Sequence, residues 1–389
     1  MIHCTVHGNF QAEYFTACNS LPDGWDALLP DGHFLKCVNL AVTEQANLPH
    51  ISYYYVLIHK QGKPVAAIYF QLLRLQAHHL DESNMSAMQR IAWKGFTTLA
   101  KPKLLVAGHL FRHDVESYYY APYLSAYDAF RIYNDTINDL QRQVCAYAVL
   151  VKDSPASLHT YFQHYAPQYI MLRNDILMGM PLQPYWKNLQ DYEAALKHKY
   201  SQRFRKIRGA LQGVVIKELD ADAVEDNKDI LYTLYRQVCE KQPARIGMIS
   251  TSFLPMLKKN NPDSLKIWAM YESEQVVAFF SAWIKPTAFD MFYIGFDYTR
   301  NQALQLYFNI LFCSLEQAIL HKMPAIIFGR TALDAKARLG CKPSYQSTFV
   351  LIRNRFIRAA TLRLQNNAQS QEGEWEQRHP LKDIRKQQS

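Results

Sequence analysis

Nowhere does the sequence hold about 18 apolar residues without interruption, the length needed to cross a bilayer core. Its opening, Met1 to Phe10, has neither the basic flank nor the apolar centre of a secretion signal. Seven cysteines, at 4, 18, 37, 145, 239, 313 and 341, show no paired spacing, and several lie in apolar segments. They read as reduced core thiols. These absences lead us to expect a cytoplasmic chain, soluble or at most peripheral to a membrane. Two histidine pairs, His3 with His7 and His109 with His113, would align on a helix. Neither has a third ligand in view, so no metal is expected.

What is present is the material of packed cores: 49% of residues are apolar and 13% aromatic. At 389 residues the chain exceeds one compact core and suits two domains. A formal charge of +9 permits an anionic partner such as CoA, tRNA, a nucleotide-linked sugar or a lipid surface.

The stretch from Ser264 to Arg353 organises the rest. Leu265 to Glu272 and Val276 to Lys285 are β-branched and aromatic runs around Ser273-Glu274-Gln275, which predicts an antiparallel hairpin. Phe289 to Asp297 follows as a third strand. From Ala303 to His321, Leu304, Phe308, Leu311, Phe312, Leu315 and Ile319 recur at helical spacing with no Gly or Pro between, which predicts one long buried helix. A strand over Ala325 to Phe328, a helix over Thr331 to Leu339 stopped by Gly340 and Pro343, and a strand over Ser347 to Ile352 complete the series.

The same order runs through the first half. Tyr53 to His59 and Val65 to Leu73 flank a Gly/Pro turn; Lys103 to Phe111 is a strand containing Gly108. A helix over Ala126 to Gln143, a strand over Cys145 to Val151, a helix over Ser157 to Tyr165 and a strand over Tyr169 to Leu177 follow. At an offset of 180, Met171-Leu172-Arg173-Asn174 falls on Leu351-Ile352-Arg353-Asn354, so the chain reads as an internal repeat at domain scale. Met180 to Pro184, with two prolines, reads as the linker. Beyond it Leu189, Tyr192, Leu196, Tyr200, Phe204 and Ile207 mark one face of a helix over Tyr185 to Leu211 that also carries six Lys and Arg residues between Lys197 and Arg208.

This order, with the corner Ala335-Lys336-Ala337-Arg338-Leu339-Gly340-Cys341-Lys342-Pro343, resembles the GNAT acyltransferase superfamily, in its double-domain branch with the Fem-type aminoacyl ligases. The resemblance implies an α/β (α+β) fold of tandem GNAT-like domains, each a mixed, mainly antiparallel twisted sheet flanked by helices. We place them at 1–182 and 183–360, with a polar, frayed tail at 361–389. It further implies an N-acyltransferase acting on an amine acceptor, with acetyl-CoA, another acyl-CoA or aminoacyl-tRNA as donor and the site in the second half. The acceptor is a small molecule, peptide or lipid amine. The alternative is a non-catalytic GNAT-like module that binds an anionic ligand or RNA.

Ordinary acetyl-CoA users place a Gly-rich turn at the start of the long helix to cradle pyrophosphate. Here Thr299-Arg300-Asn301-Gln302-Ala303 stands there without glycine, leaving Arg300 and Asn301 as candidate phosphate contacts, with Arg330 at the next strand end. Acyl transfer to an amine also needs a base and an oxyanion donor. Strict alternation along Phe289 to Asp297 puts Met291, Tyr293, Gly295 and Asp297 on one face, which makes Tyr293 and Asp297 the catalytic candidates. Tyr293 reads equally as a core tyrosine, Asp297 as a helix cap, and Arg330 as a structural ion-pair member. The Lys197 to Arg208 run is either a solvated face or a phosphate cradle.

Overall fold

A computed structural model describes residues 2–6, 9–82, 85–112, 115, 117–154, 156–242, 247–354, 358 and 376–382. Both hairpins close on two-residue turns. Gln61 and Gly62 have φ 51° and 76°, and Ser273 and Glu274 have φ 47° and 69°. Left-handed backbone at both central positions matches the twist of the paired strands.

The chain divides into two units that interleave along the sequence. Unit one takes Met1–Asp175, Gln242–Phe253 and Gln346–Gln369; unit two takes Ile176–Lys241, Leu254–Tyr345 and Ser370–Ser389. Unit one runs β1 (Ile2–Val6), β2 (Phe10–Phe15), α1 (Asp23–Leu28), α2 (Cys37–Gln45), β3 (Ile51–Lys60), β4 (Lys63–Arg74), α3 (Ala87–Gly95), β5 (Lys103–Ala107), β6 (Tyr118–Tyr120), α4 (Ala126–Gln143), β7 (Ala148–Ser154) and α5 (Ala156–Tyr165). Strands β1 to β5 pair antiparallel in sequence order, and β5 pairs β7 in parallel. On this mixed sheet α4 lays Phe130, Tyr133, Ile137 and Leu140, one helical face, against Val149, Val151 and Phe162.

Strand β8 (Ile170–Pro181) leads out of unit one. Unit two then holds α6 (Leu189–Ala195), α7 (His198–Gly209), β9 (Val214–Leu219), α8 (Ala221–Asp226), α9 (Lys228–Cys239), α10 (Phe253–Asn260), β10 (Leu265–Glu272), β11 (Gln275–Lys285) and β12 (Ala288–Phe296). After these come α11 (Tyr298–Leu304), α12 (Leu306–Leu320), β13 (Ala325–Gly329), α13 (Leu333–Ala337) and β14 (Lys342–Ile352). Its pairing repeats that of unit one: β10 with β11 and β11 with β12 antiparallel, then β12 with β13 parallel. The last strand of each half serves the opposite unit. From Met178 to Pro181, β8 pairs β13, while Ser347 to Ile352 of β14 pairs β7.

Several expectations are corrected. Met180 to Pro184 is no simple linker, because Met180 and Pro181 still lie in β8 opposite Ile326 and Ala325. The long helix is broken: Gln305 adopts φ 49°, and α11 and α12 bend by 71° there. The basic helix also breaks, at Leu196 in extended conformation, although its apolar face stays buried through Tyr192, Leu196, Phe204 and Ile207. Strand β5 ends at Ala107 because Gly108, at φ 143°, passes so close to Lys152 that a Cβ would stand 2.7 Å from the lysine Cβ. Part of the supposed tail is ordered into unit two: Lys197 N donates to Pro380 O at 2.8 Å, and Leu381 bridges Leu196. The stretches 361–375 and 383–389 lie outside the described residues. No single helix among the described residues is long and apolar enough to cross a membrane.

Candidate functional site

In unit two the parallel pair β12–β13 is short. It joins Phe289 to Ile326 and Asp290 to Ile327, and the pairing stops there. Beyond it β12 carries a bulge, in which Phe280 stands opposite Ile294 and Ala282 opposite Met291. The extra residue resets the alternation. Met291, Ile294 and Phe296 therefore join the core around α12, while Tyr293 and Gly295 turn to α9, where Tyr293 meets the Tyr235 ring at 5.3 Å. Met291 and Tyr293, expected on one face, lie on opposite faces.

The candidate residues fall into separate places. Tyr293 is half-buried, and desolvation, followed by Cys239, pushes its phenol above the ordinary range. Asp297 caps α11, its Oδ1 accepting from Thr299 N at 2.8 Å and from Thr299 Oγ1 at 2.7 Å. Arg300 lies in α11, before the bend, and pairs with Glu272. Asp297 and Arg300 share a cavity of about 670 Å³ walled by α9 and the β10–β11 turn. Asn301 Oδ1 accepts from Tyr307 N at 3.0 Å, so its side chain caps the start of α12. Arg330 follows the end of β13, half-buried. Asp297 and Arg300 are thus brought together; Tyr293, Asn301 and Arg330 are not joined to them in that cavity.

Sequence reasoning passed over a more unusual group. Lys336, on α13, is 3% exposed. It stands at the end of β13, its Nζ 3.9 Å from where a Cβ on Gly329 would be. Gly329 has φ 83°, so a larger residue there would be strained as well as close to the lysine. Burial lowers the lysine pKa to about 7, with Cys341 opposing the shift. The same burial pushes the Cys341 thiol up to about 12, against the pull of Lys336. The available signal was periodicity. Leu333, Lys336, Ala337 and Gly340 step along one side of the α13 corner, which puts a cation on the apolar side.

Part of the basic run is organised into a cavity. Lys199, Tyr200, Gln202, Arg203 and Lys206 of α7 line about 490 Å³ together with Arg338 and Arg378. Arg203 lies over the Phe308 ring of α12 at 4.8 Å. Desolvation and then the charge of Arg338 lower its pKa, with Asp334 opposing. Arg338 bonds Asp334 at 2.8 Å, and Arg378 approaches the same carboxylate at 3.7 Å and Glu376 at 2.5 Å. Five cations therefore face this cavity beside two carboxylates. No group of three or more His, Cys, Asp or Glu among the described residues could hold a metal ion, and His113 lies outside them.

No family model matches the chain, and no curated protein matches it. Among solved structures, that of FemX aligns over 90% of this chain and 99% of its own, with a TM-score of 0.50 at 11% identity. The fold is GNAT-like, of the Fem-type double-domain kind. A tandem GNAT protein from the clavulanic acid biosynthesis pathway aligns over 87% of this chain and 98% of its own, with a TM-score of 0.47 at 11% identity. Within the Fem-type fold, Lys336 and the basic cavity both belong to the second GNAT-like unit.

Proposed function

We propose that the chain is an N-acyl or aminoacyl transferase that joins an acyl donor to an amine acceptor in unit two. The observation that carries this reading is Lys336, an amine buried beside the end of a parting strand pair, where desolvation lowers its pKa to about 7. An ammonium acceptor must lose a proton before it attacks, and the attack leaves negative charge on the carbonyl oxygen. The neutral amine of Lys336 takes that proton. The lysine ammonium so formed then counters the developing oxyanion charge in a poorly solvated site, and as the adduct collapses and its bond to the donor's sulfur or ribose oxygen breaks, it returns the proton to that leaving atom.

The basic cavity supports a phosphate-bearing donor, because clustered Arg and Lys hold phosphate without reading sequence. Acetyl-CoA, longer acyl-CoAs and aminoacyl-tRNA all carry such phosphates. The test measures donor affinity by calorimetry beside turnover with each donor. Lys336→Met should lower turnover by roughly 10²- to 10⁴-fold, the usual contribution of a proton-transfer group, while leaving donor affinity intact. Arg203→Ala combined with Arg338→Ala should do the reverse. In the wild type, kcat/KM should fall on the acid side of an apparent pKa near 7, as Lys336 becomes protonated.

The five exposed or half-exposed cations of the cavity also favour a second reading, a non-catalytic module for RNA or another polyanion. Thermal shifts separate the two. A tRNA-induced rise that is equal in wild type and Lys336→Met, with no transfer from any of the three donors, would sink the enzyme reading.

A further inference from the structure

Helix α3 and the π turn that continues it over Phe96–Ala100 form a preset amphipathic element in unit one. A reciprocal cap fixes its start: Ser86 Oγ accepts from Gln89 N at 3.2 Å, and Gln89 Oε1 accepts from Ser86 N at 2.9 Å. Its inner side is anchored. Trp93 Nε1 donates to Ala77 O at 2.9 Å, and Thr97 is buried. The outer side is apolar and open: Met88 is 81% exposed, Ile91 73% and Leu99 85%. Their spacing of three and eight positions keeps them on one side of the element. Single exposed apolar residues are ordinary, whereas an aligned set marks an interaction site.

Charge selects the occupant. Between Glu82 and Asp114 the chain holds no carboxylate; of its cations Lys103 donates to Val144 O at 3.1 Å and Arg112 lies over the Phe34 ring at 5.2 Å, while Arg90, Lys94 and Lys101 belong to the element and its end. Lys94 meets Glu82 at 3.1 Å at the edge of the element. A second copy of this chain docked on the same face would set Arg90 and Lys94 against themselves. The open face offers Met, Ile and Leu side chains, which suits a fluid apolar phase.

We propose that this face docks the protein on an anionic lipid surface, with Met88, Ile91 and Leu99 in the interface and the flanking cations on the headgroups. Such geometry is that of an in-plane amphipathic helix, bound by apolar area and by attraction to anionic lipid together. The inference does not depend on the transferase reading, because it concerns unit one and needs no catalysis.

Co-sedimentation of the full chain with vesicles tests it. One vesicle set is equal parts phosphatidylglycerol and phosphatidylcholine, and the other is phosphatidylcholine alone. The wild type should bind the anionic set, less well as salt rises, and bind the neutral set weakly. The triple variant Met88→Ser, Ile91→Ser, Leu99→Ser should lower the partition coefficient by at least roughly tenfold. Arg90→Gln with Lys94→Gln should weaken binding and flatten its salt dependence. Thermal unfolding of both variants should match the wild type, since the altered side chains are exposed. Failure of the wild type to bind anionic vesicles, or binding untouched by the triple variant, would overturn the proposal. So would a wild-type dimer in sedimentation equilibrium that the triple variant abolishes without any vesicle binding; that result would assign the face to a second copy.

Discussion

Replacing Lys336 with methionine should stabilise the protein at neutral pH. The unfolded lysine titrates near 10.4, roughly three pH units above the folded value of about 7. Between those two values the unfolded chain holds a proton that the folded chain has released, so stability rises with pH across this window. Below pH 7 both states are protonated, and the folded state bears the full cost of a buried ammonium. Above about 10.4 both are neutral and the cost has gone. At about 1.4 kcal/mol per unit the cost below pH 7 is about 4 kcal/mol, on the order of a large single-site effect.

Methionine fills similar space without the charge, so Lys336→Met should recover about 2–4 kcal/mol at pH 7 and less than about 1 kcal/mol at pH 10. Urea titrations from pH 6 to 10, followed by near-ultraviolet circular dichroism, read this directly. If the variant is no more stable at pH 7, or if its advantage does not shrink with rising pH, the ammonium is not desolvated as argued. A destabilising lysine retained in a core is expected where activity requires it.

Gly295→Ala should cost about 1–3 kcal/mol, because the new methyl would stand 2.5 Å from Tyr235 N and 2.6 Å from Leu234 C, backbone atoms of α9 that cannot rotate away. Chemical denaturation checks it, and a neutral result would mean that α9 moves off β12 at little cost. Tyr192→Phe removes the buried bond from its hydroxyl to Leu339 O at 2.9 Å and should cost about 1–2 kcal/mol by the same assay. Arg300→Ala should change stability by less than about 1 kcal/mol, since the Arg300–Glu272 pair is partly exposed to solvent. By calorimetry it should also leave donor affinity unchanged; a tenfold weakening would return the donor to α11.

Local signals carried most of the fold into the sequence. The α4 span matches the helix read over Ala126 to Gln143, and in the structure Ser125 caps its start while an apolar face runs to Leu140. The first hairpin was legible from its Gly/Pro turn and the second from the β-branched and aromatic runs that flank Ser273 and Glu274. What escaped were breaks that keep the apolar pattern intact. At Gln305 and at Leu196 the chain changes direction while its buried face continues, so spacing alone reads one helix where there are two. The bulge in β12 is of the same kind, a single inserted residue that changes which side chains share a face. Strand partners over long separations, such as β14 on β7, leave no trace in local composition.

The site was less legible than the fold. Its expected residues were chosen by analogy of position, whereas the burial of Lys336 shows only in the short step Leu333, Lys336, Ala337, Gly340 around a helix of five residues. Asp297 could be read both as a cap and as a base; its bonds to Thr299 are those of a cap.

The crossing of β8 and β14 bears on synthesis. Unit one cannot complete its sheet when its own first 175 residues have left the ribosome, because β7 still awaits Ser347 to Ile352. Until roughly another half-length of chain is translated, β7 presents an unpaired edge that carries the apolar run Ala148 to Val151, the form that recruits strands from other chains. The protein thus has a vulnerable interval set by topology. Synonymous codons that slow elongation between β7 and β14 should lower soluble yield without altering the finished molecule.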